Sequence, residues 1–552
     1  MQSPAQITSV FDDPRLAILR SLPSAARVQA LATLLDGDRG REFRAEASRM
    51  VVEALSVERL VPQAYVEWRP VVREAMLYFG SHLSTARLAP KLVEQIELPS
   101  NTLPEVRLLR LIAQVPALQK LGQVIARNRH LHPAVRRELT QLENGISDVS
   151  AEEIRRIIVQ ELGPKLERHA VEIEGRIFSE ASVSAVVRFT WYNPKRRRRE
   201  NGVFKVLKPY VRAFFAEELD LLAQLAEHLG SKHQEYGFAE HVLSETFQDV
   251  RRLLQHEVEF RREQASLQEA ARLYQSVQHV RIPRVIRPLC TSIITAMSEE
   301  HGQKITKAAA HAPKGRRERI AAQLIEATLV VPVLAHGKKV IFHADPHAGN
   351  LLYNNQSGEL TLLDWALTGH IQEEQRRQLA MLFLMTALRD RQGVYQALEA
   401  LCTGRRKCGA RQARILREQV TRFFAELPLT RVLRAVDVME LLERVAWQGV
   451  RLPSNLVMLR KVVFTLDGIL HEVAGSGAKL ELVIARGLLG KWISNVTNVG
   501  WPLLPSNWLE VYWSGAFYGS RLALEFLHQR SAWLRKGRPW MDPGSEIARV
   551  PA

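Results

Sequence analysis

Apolar residues recur at spacings of three and four over most of this chain, which predicts a predominantly helical protein. Over residues 1–100 the pattern predicts amphipathic helices that are broken at four prolines, Pro23, Pro62, Pro70 and Pro90. A second helical block covers about residues 104–172. Its last helix is predicted to begin at Ser150, because Glu153 follows at the spacing of a capping box.

A strand-like composition follows the helices. Residues 183–192 and 203–207 are rich in β-branched and aromatic side chains, which predicts two strands. The basic cluster Lys195–Arg199 lies between them and Asn201-Gly202 closes it, so we predict a hairpin with a solvated basic tip. A long charged helical stretch is expected over about residues 210–275.

The most informative chemistry lies between Phe342 and Asp364. Asp345 stands two residues after His343 and five before Asn350, and Asp364 follows a mostly apolar run. Phosphoryl transfer needs such a set: one carboxylate to orient or deprotonate the attacking hydroxyl, and an asparagine with a second carboxylate to hold Mg²⁺ on the phosphates. The alternative is a loop and hairpin with ordinary turn residues, but H-x-D-x-x-x-x-N followed by an apolar run and Asp rarely arises by chance.

A kinase-like site also needs a lysine for the phosphates and a glutamate that positions it. Lys205 lies in the second predicted strand, where Val203 and Leu207 share its face. Two glutamates, Glu257 and Glu263, are candidates for its partner. A solvated charged helix is the alternative explanation of either glutamate.

Composition narrows the function classes. At 552 residues and 46% hydrophobic content, the chain is long enough for about two to four units with sizeable cores. Three cysteines without a C-x-x-C pair favour a reducing, intracellular compartment, and the first thirty residues show no secretory signal. The net charge of +17 suits an anionic partner, but no zinc-ligand spacing, stacking-aromatic motif or helix-turn-helix signal supports nucleic acid.

The aromatic, nearly uncharged segment 495–520 suits a membrane interface or a buried contact with the main body.

Together these residues resemble the UbiB/AarF family of atypical protein-kinase-like proteins over roughly residues 104–400. Four segments carry the likeness: Lys120-Leu121-Gly122-Gln123 (the family's K-x-G-Q motif), Ser179–Val183 (its alanine-rich nucleotide loop), Glu257–Glu263 (E-L-D-F/Y-x-x-E) and His343–Asn350 (H-A-D-P-H-P-G-N). Asp364 matches the family's metal aspartate.

The resemblance implies an α+β, two-lobed protein-kinase-like fold that is predominantly helical, with added N- and C-terminal helical regions. The implied domains are an N-terminal helical region (1–103), a K-x-G-Q helical extension (104–175), a kinase-like N-lobe (176–300), a C-lobe with the catalytic and metal motifs (301–400) and a C-terminal helical region with the aromatic tail (401–552).

The resemblance also implies ATP and Mg²⁺ as cofactors, with ATP binding and hydrolysis as the activity. The implied catalytic residues are Asp345, Lys205, Lys120 and Gln123, the nucleotide-binding residues are Lys205, Ser179, Ala181, Ser182, Glu257 and Glu263, and the metal ligands are Asn350 and Asp364. By the same analogy Glu257 pairs with Lys205 or Lys120, and Glu263 completes the polar network.

Members of this family support ubiquinone or other isoprenoid-lipid metabolism at membranes. For this chain the resemblance implies ATP and an isoprenoid or lipid substrate. Charge and the aromatic segment add an anionic membrane surface as an expected partner, no nucleic acid is expected, and the cysteine usage favours a cytoplasmic location, at the inner face of a membrane; a homodimer stays open. Two other functions also stay open: a nucleotide-binding pseudokinase scaffold, and a small-molecule phosphotransferase of the aminoglycoside or choline kinase kind. The latter group lacks the Lys120–Gln123 and Glu257–Glu263 segments.

Two departures from the family pattern affect the expected site. Glu180 in the alanine-rich loop would repel phosphates unless it points away, binds a cation or weakens nucleotide binding. Asp364-Trp365-Ala366 stands where kinases have D-F-G, and loss of that glycine matters only if its position needs a positive φ. Divergent specificity or reduced turnover is the expected consequence.

Overall fold

The computed structural model describes residues 21–55, 69–99, 102–119, 149–237, 254–403, 409–426, 435–448 and 452–475, together with a few isolated positions. The chain folds as two compact units. The first comprises residues 1–268, 283–300 and 364–367, and the second comprises residues 269–282, 301–363 and 368–552.

Helices make up most of the described chain. They are α1 (Ser24–Asp36), α2 (Gly40–Leu55), α3 (Arg69–His82), α4 (Thr85–Glu97), α5 (Pro104–Ile112), α6 (Ala151–Leu162), α7 (Pro164–Arg168), α8 (Pro209–Ser231), α9 (Phe260–Leu273), α10 (Ile305–Ala310), α11 (Lys314–Ile325), α12 (Val331–Leu334), α13 (Glu373–Ala387), α14 (Arg391–Thr403), α15 (Ala410–Ala425), α16 (Ala435–Trp447) and α17 (Ser454–Ala474).

The described strands all lie in the middle of the chain, between residues 172 and 372. They are β1 (Glu172–Glu180), β2 (Ser184–Asn193), β3 (Arg198–Leu207), β4 (Val280–Arg281), β5 (Ile294–Ser298), β6 (Gln303–Lys304), β7 (Lys339–His343), β8 (Leu351–Asn354), β9 (Glu359–Leu362) and β10 (Thr368–Gln372).

The N-terminal helices of the first unit share one hydrophobic cluster with α8, which explains why an expected helix break is absent. Pro70 lies in the first turn of α3, at the start of a helix as a break there requires, whereas Pro90 lies inside α4, so the prediction that Pro90 breaks a helix is wrong. A proline in the first turn removes no intrahelical hydrogen bond. In α4 the buried face, which includes Leu88 and Leu92, offsets the bond that Pro90 cannot make. Pro62 lies outside the described residues.

The sheet of the first unit is antiparallel, with strand order β1-β2-β3-β5. Helix α6 packs against it through Ile154 and Ile158, and the predicted capping box at the start of α6 is confirmed. The predicted hairpin is also confirmed as β2 and β3. Asn201-Gly202 does not close it: both residues lie in β3 and pair with Thr190 and Phe189 of β2, and Arg197 takes the positive φ of the turn instead.

The second unit contains a four-stranded sheet of order β4-β9-β8-β6 and the separate antiparallel pair β7 and β10. Helix α17 buries one side of its length, including Leu459, Val462 and Val463, and contacts α11, α16 and β10. Within the described ranges, no helix is long and apolar enough to cross a membrane. The segment 495–520 lies outside the described residues except for 512–514, where Tyr512 and Trp513 are exposed.

Candidate active site

Lys205 lies in the middle of the first unit's sheet. It stands opposite Val186 of β2 and Thr295 of β5, and only 7% of its surface is exposed. Its neighbours Phe204 and Val206 enter the core that the sheet shares with α6. Because side chains alternate along a strand, Lys205 projects from the opposite face of the sheet.

Two carboxylates surround the ammonium group of Lys205. Its Nζ lies 2.7 Å from Oε1 of Glu263 on α9 and 3.4 Å from Oδ1 of Asp364. Burial by itself lowers the pKa of Lys205, but Asp364 and Glu263 outweigh it and raise that pKa above its ordinary value, so the lysine stays charged. Of the two glutamates predicted as partners, Glu263 therefore makes the ion pair, and Glu257 is half-buried one turn before α9.

Asp364 carries the unusual backbone conformation of this site. Its φ is +49°, and the N–H of Ala366 donates to its Oδ1 over 3.2 Å. Aspartate tolerates the left-handed region because its short polar side chain can bond the local backbone. Ala366 does not have a positive φ, so losing the glycine of D-F-G brings no backbone strain at that position. The Asp364 side chain is 40% exposed and can be reached by a ligand from solvent.

The motif His343–Asn350 forms a tightly bonded loop in the second unit, between β7 and β8. The ring of His343 is fully buried, with Nε2 2.7 Å from the carbonyl oxygen of Leu363 and Nδ1 accepting from the N–H of Asp345 over 3.2 Å. A carbonyl can only accept, so Nε2 carries the proton and the imidazole is neutral. The histidine thus holds the loop around Asp345 to the end of the strand segment that precedes Asp364.

Asn350 closes the same loop. Its Nδ2 donates to the carbonyl oxygen of Asp345 over 3.2 Å, and its own carbonyl accepts from the N–H of Leu363 over 2.8 Å. Because the amide nitrogen points to the backbone, the orientation of the amide oxygen is also set, and that oxygen is the atom able to ligate a cation.

The end of β1 and the turn that follows it contain three of the residues predicted to bind nucleotide, Ser179, Ala181 and Ser182. Ser179 and Ala181 are exposed, whereas Ser182 is buried. Glu180 does not stand alone there: its carboxylate lies 2.9 Å from Nζ of Lys208, which is fully buried. Glu180 therefore binds a cation supplied by the chain itself, which is one of the three outcomes the sequence left open.

Hydrogen bonds from residues that follow β3 also stabilise the turn between β1 and β2. The N–H of Lys208 donates to the carbonyl of Val183 over 3.0 Å, and the hydroxyl of Tyr210 donates to the carbonyl of Ser182 over 3.0 Å. With its amide oriented to donate, Gln119 lies 3.1 Å from the same Ser182 oxygen. The sequence did not predict a role for Lys208, because this residue belongs to no motif. The one hint was that Glu180 could bind a cation and that Lys208 directly follows β3 of the same predicted sheet region. Lys120 and Gln123 lie outside the described residues.

The donor atoms fit magnesium better than a transition metal. The described part of the chain contains no group of three or more His, Cys, Asp or Glu side chains arranged for a metal ion. Magnesium does not need such a group, because it is usually bound through one or two carboxylates together with water and substrate phosphates. Asp364 of the first unit and Asn350 of the second unit each carry a hard oxygen donor of that kind.

Comparison with known proteins identifies a kinase-like domain in the middle of the chain. Residues 141–398 match the family model described as the ABC1 atypical kinase-like domain. The chain is 28% identical to the Arabidopsis thaliana protein ACTIVITY OF BC1 COMPLEX KINASE 7, chloroplastic, over 51% of this chain and 39% of that protein. It is 23% identical to the Probable protein kinase UbiB of Haemophilus ducreyi, over 50% of this chain and 51% of that protein.

The alignments cover about half the length of the curated relatives that the chain matches. A solved Mycobacterium tuberculosis protein, determined as a complex with erythromycin, aligns with a TM-score of 0.40 and 16% identity over 61% of this chain and 82% of that one. A TM-score this low does not show a shared fold. The predominantly helical α+β structure with small sheets, taken with the matched domain, is a kinase-like fold.

Proposed function

Since this chain carries an ABC1 atypical kinase-like domain and belongs with the UbiB/ABC1 atypical kinases, we propose that it is a magnesium-dependent ATPase or phosphotransferase. The observation that supports this most directly is the charged, buried Lys205 held by Glu263 and Asp364. A lysine fixed in a low-dielectric position is a strong ligand for phosphate groups, since its charge is weakly screened.

Each residue has a proposed role. Lys205 binds the phosphates, and Glu263 keeps its side chain in place. Asp345 accepts the proton of the attacking hydroxyl or water, and the neutral ring of His343 fixes the backbone that presents it. Asp364 and Asn350 are the proposed magnesium ligands. The bound ion would neutralise charge on the phosphates.

The pairing of Glu180 bears on the alternative of a pseudokinase scaffold. That alternative rests on a carboxylate facing the phosphates, but Glu180 is neutralised by Lys208. The altered turn is therefore compatible with nucleotide binding. The other alternative, a small-molecule phosphotransferase, shares the pattern of His343–Asn350, but that group lacks the Glu257–Glu263 segment found here.

The test is ATP binding and hydrolysis by purified protein. We expect Asp364→Asn and Asp345→Asn each to lower kcat by at least about a hundredfold, as loss of a group acting on the reacting atoms does. Asp220→Asn removes an exposed carboxylate on α8 and serves as the matched control. Magnesium-dependent ATP binding by calorimetry separates lost binding from lost turnover. Wild-type protein that binds no Mg-ATP, or Asp364→Asn with full activity, would refute the proposal.

We further propose that the activity serves isoprenoid-lipid metabolism at an anionic membrane surface. The family resemblance, the net charge of +17 and the aromatic segment 495–520 support this. Co-sedimentation with liposomes tests it: binding should require anionic lipid and fall with added salt, and ATP hydrolysis should rise on the same liposomes. Equal binding to neutral and anionic liposomes, or no effect on hydrolysis, would contradict this part.

A further inference from the structure

A lysine from the C-terminal helices lies next to the proposed catalytic aspartate. In the second unit, Nζ of Lys461 on α17 is 3.5 Å from Oδ1 of Asp345. The Asp345 side chain is 14% exposed, whereas that of Lys461 is 44% exposed. Lys461 lies beyond residues 141–398, the part that matches the kinase-like domain, and no motif pointed to it.

The position of Lys461 is determined by the packing of its helix. Near the start of α17, Nδ2 of Asn455 donates to the carbonyl of His370 over 2.9 Å, which ties the helix to β10. Leu459, Val462 and Val463 lie on either side of Lys461 in sequence and are buried. With these residues turned to the core, helical geometry leaves Lys461 on the exposed face.

The chemistry at Asp345 calls for a positive charge at this place. A phosphoryl group that is transferred to a hydroxyl beside Asp345 spreads negative charge over its oxygens and approaches the aspartate's own charge. The loop from Asp345 to Asn350 contains no lysine or arginine. Lys461 is a cation within reach of that carboxylate, and its long, partly exposed stem allows the ammonium to move by a few ångströms.

We propose that Lys461 is a catalytic residue that orients Asp345 before transfer and contacts the transferring phosphoryl group during it. This inference rests on the proposed function and adds to the active site a residue from outside the matched domain. In the transfer step, the acceptor oxygen bonds to phosphorus as the bond to the leaving phosphate oxygen breaks, and Asp345 takes the hydroxyl proton. Lys461 keeps its protons and contributes only charge.

A purely structural role makes a different prediction. An ion pair whose lysine is nearly half exposed contributes little to folding, so Lys461→Met should leave the thermal unfolding temperature and the affinity for Mg-ADP unchanged. If Lys461 acts on the phosphoryl group, kcat should fall by about a hundredfold at unchanged KM for ATP. Lys461→Arg should restore most of kcat, because it keeps the charge.

Arg460→Met is the matched control, because it removes the adjacent cation of the same helix, which pairs with Glu443 at 3.4 Å. A second measurement does not need turnover: binding of ADP with aluminium fluoride, a planar substitute for the transferring phosphoryl group. Wild-type protein should bind this mixture more tightly than ADP alone, and Lys461→Met should lose that gain while Arg460→Met keeps it.

The two proposals fail in different ways. If wild type hydrolyses ATP, Asp345→Asn does not, and Lys461→Met retains wild-type kcat, the role of Lys461 is wrong and the proposed function stands. If neither wild type nor any variant hydrolyses ATP, the binding of ADP with aluminium fluoride decides. Tighter binding than ADP alone that is lost in Lys461→Met supports the role of Lys461. Tighter binding that Lys461→Met keeps, or no tighter binding in wild type, overturns it.

Discussion

The buried ion pair between Glu180 and Lys208 offers a sharp test of what stabilises the turn between β1 and β2. Lys208 is fully buried and Glu180 is 7% exposed, with 2.9 Å between the charged atoms. Lys208→Met would leave the carboxylate buried without that ammonium, and Glu180→Met would leave the ammonium without that carboxylate. Removing one member of such a pair typically costs about 3–5 kcal/mol of unfolding free energy.

Replacing both members should cost far less. A buried ion pair pays a large desolvation penalty, so substituting both residues with apolar side chains of similar size is often neutral or stabilising. The double variant Glu180→Met/Lys208→Met should therefore be more stable than either single variant, with a coupling free energy of about 3 kcal/mol or more. Urea unfolding of the four proteins, followed by circular dichroism, measures the cycle.

Nucleotide binding should follow the charge on the turn. In Lys208→Met the carboxylate of Glu180 is no longer neutralised by that ammonium, so affinity for ATP should fall by about tenfold or more, an electrostatic cost of about 1.4 kcal/mol. The double variant should bind ATP about as well as wild type. The reasoning is refuted if the two stability changes simply add, or if Lys208→Met binds ATP with wild-type affinity.

Three further outcomes are expected. Lys205→Met should lower the unfolding free energy by about 3–5 kcal/mol, because it removes the ammonium that pairs with the buried Glu263. In denaturant titrations, Lys205→Met/Glu263→Leu should recover most of that free energy, and an equal loss in both variants would contradict the prediction. Gly369→Ala should cost about 1–3 kcal/mol by thermal unfolding, because an added methyl overlaps the ring of Phe342 on the paired strand, and an unchanged transition would count against that packing. Burial raises the pKa of Glu200, but side-chain hydrogen bonds from Asn193, Arg284 and Arg198 outweigh it and hold that pKa at about 2, below the ordinary 4.5. The resulting stability is present above pH 4.5 and is lost as pH falls towards 2. Glu200→Gln should therefore lose less unfolding free energy than wild type between pH 4.5 and pH 2, and an equal loss in the two proteins would contradict the prediction.

Local features of the fold were predictable from the sequence because their causes are local. The capping box at Ser150 needs only two side chains three residues apart, and the β2–β3 hairpin needs only two strand-forming runs around a polar turn. The errors have the opposite origin. Pro90 stays inside α4 because its neighbours are buried against other helices, and a packing energy of that kind cannot be read from the proline itself.

The site shows the same division. Lys205 and the two candidate glutamates were visible as residue types, but α9 buries Glu263 and leaves Glu257 before its first turn, so geometry selects the partner. The positive φ also falls on Asp364 rather than on Ala366, two residues later. A motif shows which positions carry chemistry, whereas the φ of each residue depends on what surrounds the segment.

By itself, the sequence indicated the kind of chemistry: the spacing of His343, Asp345, Asn350 and Asp364 predicts a phosphoryl-transfer loop, because each residue type suits a role that others fill poorly. Only the tertiary structure decided which charges are neutralised and by what. Lys208 reaches Glu180, and Lys461 reaches Asp345, from segments that carry no motif. Electrostatic pairing depends on distance in space and on burial, and neither is encoded at a fixed separation along the chain.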